Sequence, residues 1–175
     1  SIAEFLAWDD GTDRRHELLG GVPVAMAPAS GAHSQITANL VRRLDDAVST
    51  RRPCRALPQA GIRIAEGPPG DVYVPDVLVT CEPIDDRRLF ETPRLVVEIL
   101  SPSTGRYDRL TKLPVYATLP SLEEIWLVGS VQRFLQVYER RDAGWHAGLP
   151  LIGRSSFTSR VLGVEVPLDA VYALT

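Results

Sequence analysis

The sequence predicts a single α/β domain of the α+β kind, with a mixed central β-sheet flanked by helices. Three observations predict it. Apolar residues recur with a helical period over residues 33–50. The run 94–100 is apolar on both faces. Short alternating segments bounded by Gly and Pro occupy much of the rest. The elements follow the order α, ββ, α, βββ, α, ββ, with no repeat, low-complexity block or linker between them. At 175 residues and 45% apolar composition, the chain can bury a sizeable core and is too apolar to be disordered.

Each element has its own reason. Residues 2–8 read as a short amphipathic helix, and Asp9-Asp10-Gly11-Thr12-Asp13 as a loop. Glu17 to Met26 reads as a hairpin, because Gly20-Gly21 is a two-residue turn between apolar runs. Pro28-Ala29-Ser30-Gly31 breaks the chain. Ile36, Leu40, Leu44 and Val48 then mark one face of the long helix, with Ser30 or Ser34 as its cap. Short apolar runs follow Arg51-Arg52-Pro53. Residues 60–65 alternate as a half-buried strand, Gly67-Pro68-Pro69-Gly70 is a turn, and 72–80 is a strand containing Pro75. Residues 94–100 form a strand buried on both faces. Residues 106–118 form a helix whose regular part starts late because of Pro114. Residues 123–129 and 133–139 form a strand pair.

Composition excludes several classes. The longest apolar runs, such as Leu95-Val96-Val97, are cut by charges, so no segment of roughly 20 apolar residues spans a membrane. No signal-peptide pattern is present. Cys54 and Cys81 lie 27 apart without CxxC spacing. They read as buried small residues in a reduced, cytoplasmic protein rather than as a zinc site or disulfide framework. A net charge of -3 does not advertise a nucleic-acid binder. Of 19 basic residues, 18 are Arg and one is Lys112. A GC-rich genome explains Arg bias. A surviving Lys is a candidate for a role that the permanently charged Arg fills poorly.

Two acids sit where acids are costly. In Val96-Val97-Glu98-Ile99-Leu100, alternation puts Val96, Glu98 and Leu100 on one face and Leu95, Val97 and Ile99 on the other. Glu98 is the only charge in that run. Asp76 stands similarly in Val74-Pro75-Asp76-Val77-Leu78-Val79. A buried carboxylate must be protonated, paired or bound to a metal. If the two strands are neighbours, their carboxylates approach, and a hard cation, Mg²⁺ or Mn²⁺, suits an all-oxygen site. Either acid alone more often faces solvent or pairs with an arginine. The pair, followed 14 residues after Glu98 by the only lysine, favours a site.

Pro75-Asp76, a strand with Glu98, and then a lysine resemble the PD-(D/E)XK nuclease motif. The likeness is closer to one family within it. His16-Glu17-Leu18-Leu19-Gly20-Gly21 through Met26 and His33 resembles the Uma-two-type restriction endonuclease family. So do Val74-Pro75-Asp76-Val77, Leu95 through Thr104 with its Glu-x-Leu-Ser-Pro-Ser-Thr run, Asp108, Lys112 and Tyr116, and Glu124-Ile125-Trp126-Leu127-Val128. The resemblance runs from residue 2 to the Pro167-Leu168 tail. It implies a restriction-endonuclease-like fold and a Mg²⁺- or Mn²⁺-dependent phosphodiesterase site built from Asp76, Glu98 and Lys112. Glu17 is implied as a further acid and metal ligand, and the Ile99 carbonyl as another metal ligand. His33 matches the family's histidine and is a near-site candidate, as is Asp108. In the generic motif the lysine lies two residues after the glutamate. Leu100 holds that place here, so Lys112 must reach back from the following helix or the loop before it. The plain alternative for Lys112 is an i,i+4 surface ion pair with Asp108.

Other residues carry weaker signals. His16 and His146 lack partners by spacing. Ser101 and Ser103 are not in a nucleophile elbow. Arg42-Arg43 and Arg51-Arg52 could touch a DNA backbone but more often such pairs are simply a solvated face, and Arg87-Arg88 reads as a surface loop. The leading reading is a cytoplasmic, metal-dependent endonuclease acting on DNA without an organic cofactor. A homodimer is expected because cutting both strands suits two-fold symmetry. One alternative is an inactive relative that binds nucleic acid or protein, with the acids apart or tied up by arginines. Another is a two-carboxylate glycosidase. Its sugar cleft would want clustered aromatics, whereas Trp8, Trp126 and Trp145 are scattered.

Overall fold

The computed structural model describes residues 1–64, 70–86 and 88–175. The expected turn at Gly67-Pro68-Pro69 and residue Arg87 lie outside the described residues. Helix α1 (Ile2–Ala7) is closed by a capping box in which Ser1 and Glu4 satisfy each other's backbone. Strands β1 (His16–Leu19) and β2 (Val22–Ala25) form the expected hairpin. Its two turn residues, Gly20 and Gly21, both sit at positive φ (58° and 81°), which other side chains resist. Helix α2 (Gly31–Val48) begins two residues before the apolar period, because Ser30 is its cap and accepts from the His33 N–H.

The segment expected as one strand over 72–80 is two strands in different sheets. Strand β5 (Asp71–Tyr73) follows β3 (Arg55–Pro58) and β4 (Gly61–Ile64) in the chain; β6 (Val77–Thr80) comes after a break at 74–76. Pro75 has no N–H to give a ladder. The Val74 N–H is taken by Glu17, and the Asp76 carbonyl accepts from the Gln59 N–H. After β7 (Leu89–Phe90), β8 (Pro93–Leu100) is buried at every position but Arg94. A continuous helical stretch follows: α3 (Gly105–Tyr107), a π-helical turn (Asp108–Lys112) and α4 (Leu113–Thr118). The regular part starts late, as Pro114 predicted.

The larger sheet is mixed and runs β11-β10-β9-β8-β6-β3, where β9 is Glu124–Gly129, β10 is Phe134–Arg141 and β11 is Gly144–Ala147. Strands β8 and β9 are parallel; β6 and β8 are antiparallel, with Val77 opposite Val97. Strand β12 (Leu151–Ile152) also pairs β10. The second sheet runs β2-β1-β5-β4-β7, with β4 and β7 parallel. The tail, unassigned by its polar sequence, forms the hairpin β13 (Ser156–Ser159) and β14 (Val164–Pro167), then helix α5 (Leu168–Val171).

Alternation along β8 divides two cores. Leu95, Val97 and Ile99 join Ile36, Leu40, Leu44 and Val48 of α2 and the tail residues Leu162, Leu168 and Val171. Val96 and Leu100 join Ile62, Tyr73, Tyr116 and Leu122 beneath the second sheet. Each large apolar side chain so buried contributes about 2 kcal/mol before entropy is counted. Ile2, Leu18 and Val72 form a smaller cluster under α1.

The cysteines correct the sequence reading. Cys54 and Cys81 form a disulfide. They lie one residue beyond the Arg55–Thr80 pair at the end of the antiparallel β3–β6 ladder, where strands face each other. Sequence spacing could not show that register. The argument for a reducing compartment, which rested on free thiols, loses its premise. Among the described residues, no helix is long and apolar enough to cross a membrane.

Candidate active site

Five elements converge at the C-terminal end of β8. Glu98 points from β8 to the face away from α2 and is 3% exposed. Because β6 pairs with β8, Asp76, just before β6, comes beside it. The Asp76 Oδ2 accepts from the Ile99 N–H at 2.7 Å, and its Oδ1 lies 3.2 Å from His33 Nε2. Glu17 arrives from β1, and its Oε1 accepts from the Val74 N–H at 2.7 Å.

The helical stretch supplies the rest. Asp108, Lys112 and Tyr116 are spaced four apart and all buried. In a straight α-helix, residues eight apart would drift roughly 80° around the axis. The wider π turn over Asp108–Lys112 takes back part of that drift and keeps the three on one face. Lys112 Nζ lies 2.8 Å from Glu17 Oε1, 3.2 Å from Glu98 Oε1 and 4.0 Å from Asp108 Oδ1. Tyr116 donates its hydroxyl to Glu98 Oε1 at 2.7 Å. Lys112 is therefore not the surface partner of Asp108 but a buried ammonium between two strand acids. Leu100, in the classical lysine place, is in the apolar cluster.

The site carries more acid than base. Four carboxylates are buried here, of which Glu17, Glu98 and Asp108 lie within 4.0 Å of the one lysine and Asp76 pairs with His33. Burial pushes the Glu98 carboxyl up to about 8, with the Asp76 and Asp108 charges adding to it and Lys112 opposing. Burial also raises Asp108. Burial by itself would lower Lys112, but the Glu98 and Glu17 carboxylates more than offset it and hold the ammonium charged. The hydrogen bond to Asp76 raises His33 against the opposing effect of burial, and the Ile99 backbone adds to the rise.

The residues fit a hard divalent cation by chemistry and charge. Asp76 and Glu98 supply carboxylate oxygens, and the surplus of acid over base calls for positive charge. His33 Nδ1 is buried without a hydrogen-bond partner. Among the described residues, no three His, Cys, Asp or Glu side chains already surround one metal position, because Glu17 and Glu98 are turned onto Lys112. The Ile99 side chain belongs to the α2 core. Its N–H points to Asp76, and in a strand the carbonyl leaves on the same side as the N–H.

Spacing did not single out three contributors. Tyr116 matched the resemblance but was not a candidate; its i+8 spacing from Asp108 was the available signal. Arg140 on β10 donates to the carbonyls of Ala117, Leu119 and Leu122, and so anchors the end of the helix that carries Lys112 and Tyr116. Its ring partner Trp145 donates to the Ala117 carbonyl too. No sequence pattern marks either. Elsewhere, His16 pairs with Asp10 and packs edge-on against Trp8, so it serves the N-terminal loop. The Ser101 hydroxyl bonds with Ser103 and Thr104.

A family model described as "Putative restriction endonuclease", Uma2, matches residues 2–164. The chain belongs to the Uma2 family. Two cyanobacterial relatives come from Synechocystis sp. (strain ATCC 27184 / PCC 6803 / Kazusa). The uncharacterized protein slr1290 is 30% identical over 98% of this chain and 90% of its own length. The uncharacterized protein sll1609 is 28% identical over 83% of this chain and 84% of its own. Among solved structures, a protein from Anabaena variabilis ATCC 29413, described as a putative nuclease belonging to DUF820, superposes with a TM-score of 0.79. It covers 99% of this chain and 97% of its own at 18% identity, a likeness of fold. The Uma2 chain described here thus has a restriction-endonuclease-family α+β fold, as its sequence predicted.

Proposed function

We propose that residues 1–175 act as one domain, a divalent-metal-dependent endonuclease that hydrolyses phosphodiester bonds of DNA. The observation that carries this reading is the convergence of Glu98 and Glu17 on Lys112, with Asp76 held by the Ile99 N–H on the same strand, in a buried, acid-rich cluster at the end of β8. Family membership supports the nuclease class. The inactive-relative reading wants these acids apart or tied to arginines, whereas Glu17 and Glu98 pair with the chain's only lysine and Asp76 with His33.

Hydrolysis of a phosphodiester puts negative charge on the phosphorus oxygens and on the leaving oxygen. Asp76 and Glu98 would hold a Mg²⁺ or Mn²⁺ ion, with Glu17 and the Ile99 carbonyl as the further ligands the family implies. When bound, such an ion neutralises that charge and acidifies water. Lys112 keeps its proton between Glu17 and Glu98, so it acts as a fixed positive group. It orients the attacking water and stabilises charge on the phosphoryl oxygens. Tyr116 and Lys112 both bind Glu98 Oε1, which fixes the carboxylate's rotation. Asp76 is fixed in the same way by the Ile99 N–H. Asp108, 4.0 Å from Lys112, adds to the negative field that keeps the ammonium charged.

The reading includes a homodimer, since paired sites cut both strands of a duplex, and cytoplasmic action on intracellular DNA. The deciding experiment incubates supercoiled plasmid and single-stranded DNA with Mg²⁺, Mn²⁺ or EDTA. Nicking that needs metal and disappears in both Glu98→Gln and Lys112→Ala is expected. Cleavage that survives in both variants, or that EDTA does not stop, rules the assignment out. Light scattering of the same samples reports the dimer.

A further inference from the structure

We propose that Arg15 is a phosphate-binding residue that grips the backbone of the DNA strand at the rim of the acid cluster, and that Gln59 is the residue that positions it. The inference rests on the nuclease reading above and deepens it. Arg15 stands one residue before β1, and its carbonyl accepts from the Met26 N–H at 2.8 Å, so the hairpin ladder runs on through it. Alternation then puts Arg15 on the face of β1 that carries Glu17, about 7 Å away along the strand. Its guanidinium donates through Nη1 to Gln59 Oε1. The Gln59 N–H in turn donates to the Asp76 carbonyl at 3.1 Å. Glu17 closes the ring of contacts, because it accepts from the Val74 N–H on the other side of Pro75. Arg15 is thereby seated at the rim between two of the site's acids, Glu17 and Asp76.

A solvated surface role explains this arrangement poorly. Arg94, Arg133 and Arg141 are exposed and each meets a carboxylate. Arg15 is exposed too, but among the described residues no carboxylate pairs with it. An amide oxygen fixes a guanidinium without neutralising it. One of five N–H donors is used on Gln59, and the others keep the planar fork that matches a phosphate. Gln59 reaches Arg15 from a left-handed backbone, φ 48°, which residues other than glycine adopt infrequently. Such conformations persist where the surroundings impose them, and they gather at functional sites. The need for a cation here is electrostatic. A cluster with more acid than base repels a polyanion, and a guanidinium at its edge offsets that repulsion where the strand must pass.

The test measures binding of the full chain to a fluorescently labelled DNA duplex by anisotropy over a series of KCl concentrations, with Ca²⁺ present, and the kcat and KM of plasmid nicking with Mg²⁺. Wild type is compared with Arg15→Gln, Arg15→Lys, Gln59→Gly and Arg154→Gln, after melting curves show each is folded. Arg154 is a control, an arginine 94% exposed in its side chain and outside the site. Arg15→Gln should weaken binding about tenfold and lower the slope of log affinity against log salt by about 0.9, one phosphate contact. Its KM should rise while kcat stays near wild type. Arg15→Lys keeps the salt slope but recovers only part of the affinity, because the planar fork is lost. Gln59→Gly removes the side-chain hold and relieves the left-handed backbone; binding should weaken a few-fold with the salt slope unchanged. Arg154→Gln should match wild type. Arg15→Gln with wild-type affinity and slope, a loss that Arg154→Gln reproduces, or a fall in kcat alone overturns the assignment and leaves the nuclease reading standing. Wild type that neither binds nor cuts DNA overturns the nuclease reading and the role of Arg15 with it.

Discussion

Glu98 and Glu124 stand on neighbouring parallel strands, β8 and β9, and both are buried, at 3% and 1% exposure. They are held in opposite ways. Glu124 Oε1 accepts from the N–H groups of Arg160 (2.6 Å) and Val161 (3.1 Å), and Oε2 from Trp126 Nε1 (2.9 Å) and Ser159 Oγ (2.7 Å). Four neutral donors saturate it and tie the tail to the sheet. Glu98 accepts at Oε1 from a lysine and a tyrosine, while neighbouring carboxylates add to the cost of its charge. A carboxylate ringed by backbone and side-chain donors is a structural clamp. One crowded by other acids and held from one side has coordination left to offer.

The largest effect expected is on activity. Glu98→Gln should lower DNA cleavage by about 10²–10⁴-fold, the range typical of lost acid–base or charge-stabilising groups. Its melting temperature should stay near wild type, because a neutral isostere relieves the burial cost of the charge. A large fall in stability would put Glu98 in the same class as Glu124. Next is Glu124→Gln, which loses charge-assisted bonds to four donors and should cost about 3 kcal/mol in urea denaturation. Its cleavage rate per folded molecule should remain near wild type; a matching loss of rate would erase the contrast. Tyr116→Phe removes one of the two donors to Glu98 and should cost about 1 kcal/mol. It should also slow cleavage about tenfold, read as a fall in kcat rather than a rise in KM. The smallest effect is Arg140→Ala, which frees the carbonyls at the end of α4. It should raise amide exchange over residues 113–119 and lower kcat only a few-fold.

Much of this was legible in residues. The Gly20-Gly21 hairpin, the α2 face and the two-sided strand at 94–100 all follow from local conformational preference and alternation, and each is present within a residue or two. The strand over 72–80 was misread because its composition stays apolar through a change of sheet, and a periodicity argument does not see which ladder a segment joins. Asp76 and Glu98 drew notice as charges in apolar runs. Glu124 did not, because it stands at the edge of its run beside Glu123, where acids are cheap in sequence though not in this fold. Cys54 and Cys81 were read as unpaired for the same reason: the β3–β6 register that sets them opposite each other is a long-range property.

The sequence by itself determined the element types, the apolar faces, the odd placement of two acids and the solitary status of Lys112, since all depend on residue identity over a few positions. Only the tertiary structure decided which of several buried acids face one another, which nitrogen of the chain's histidines meets Asp76, and where Lys112 ends its reach. Those depend on strand pairing and on one π turn, where a shift of a single residue would rotate each side chain onto another face.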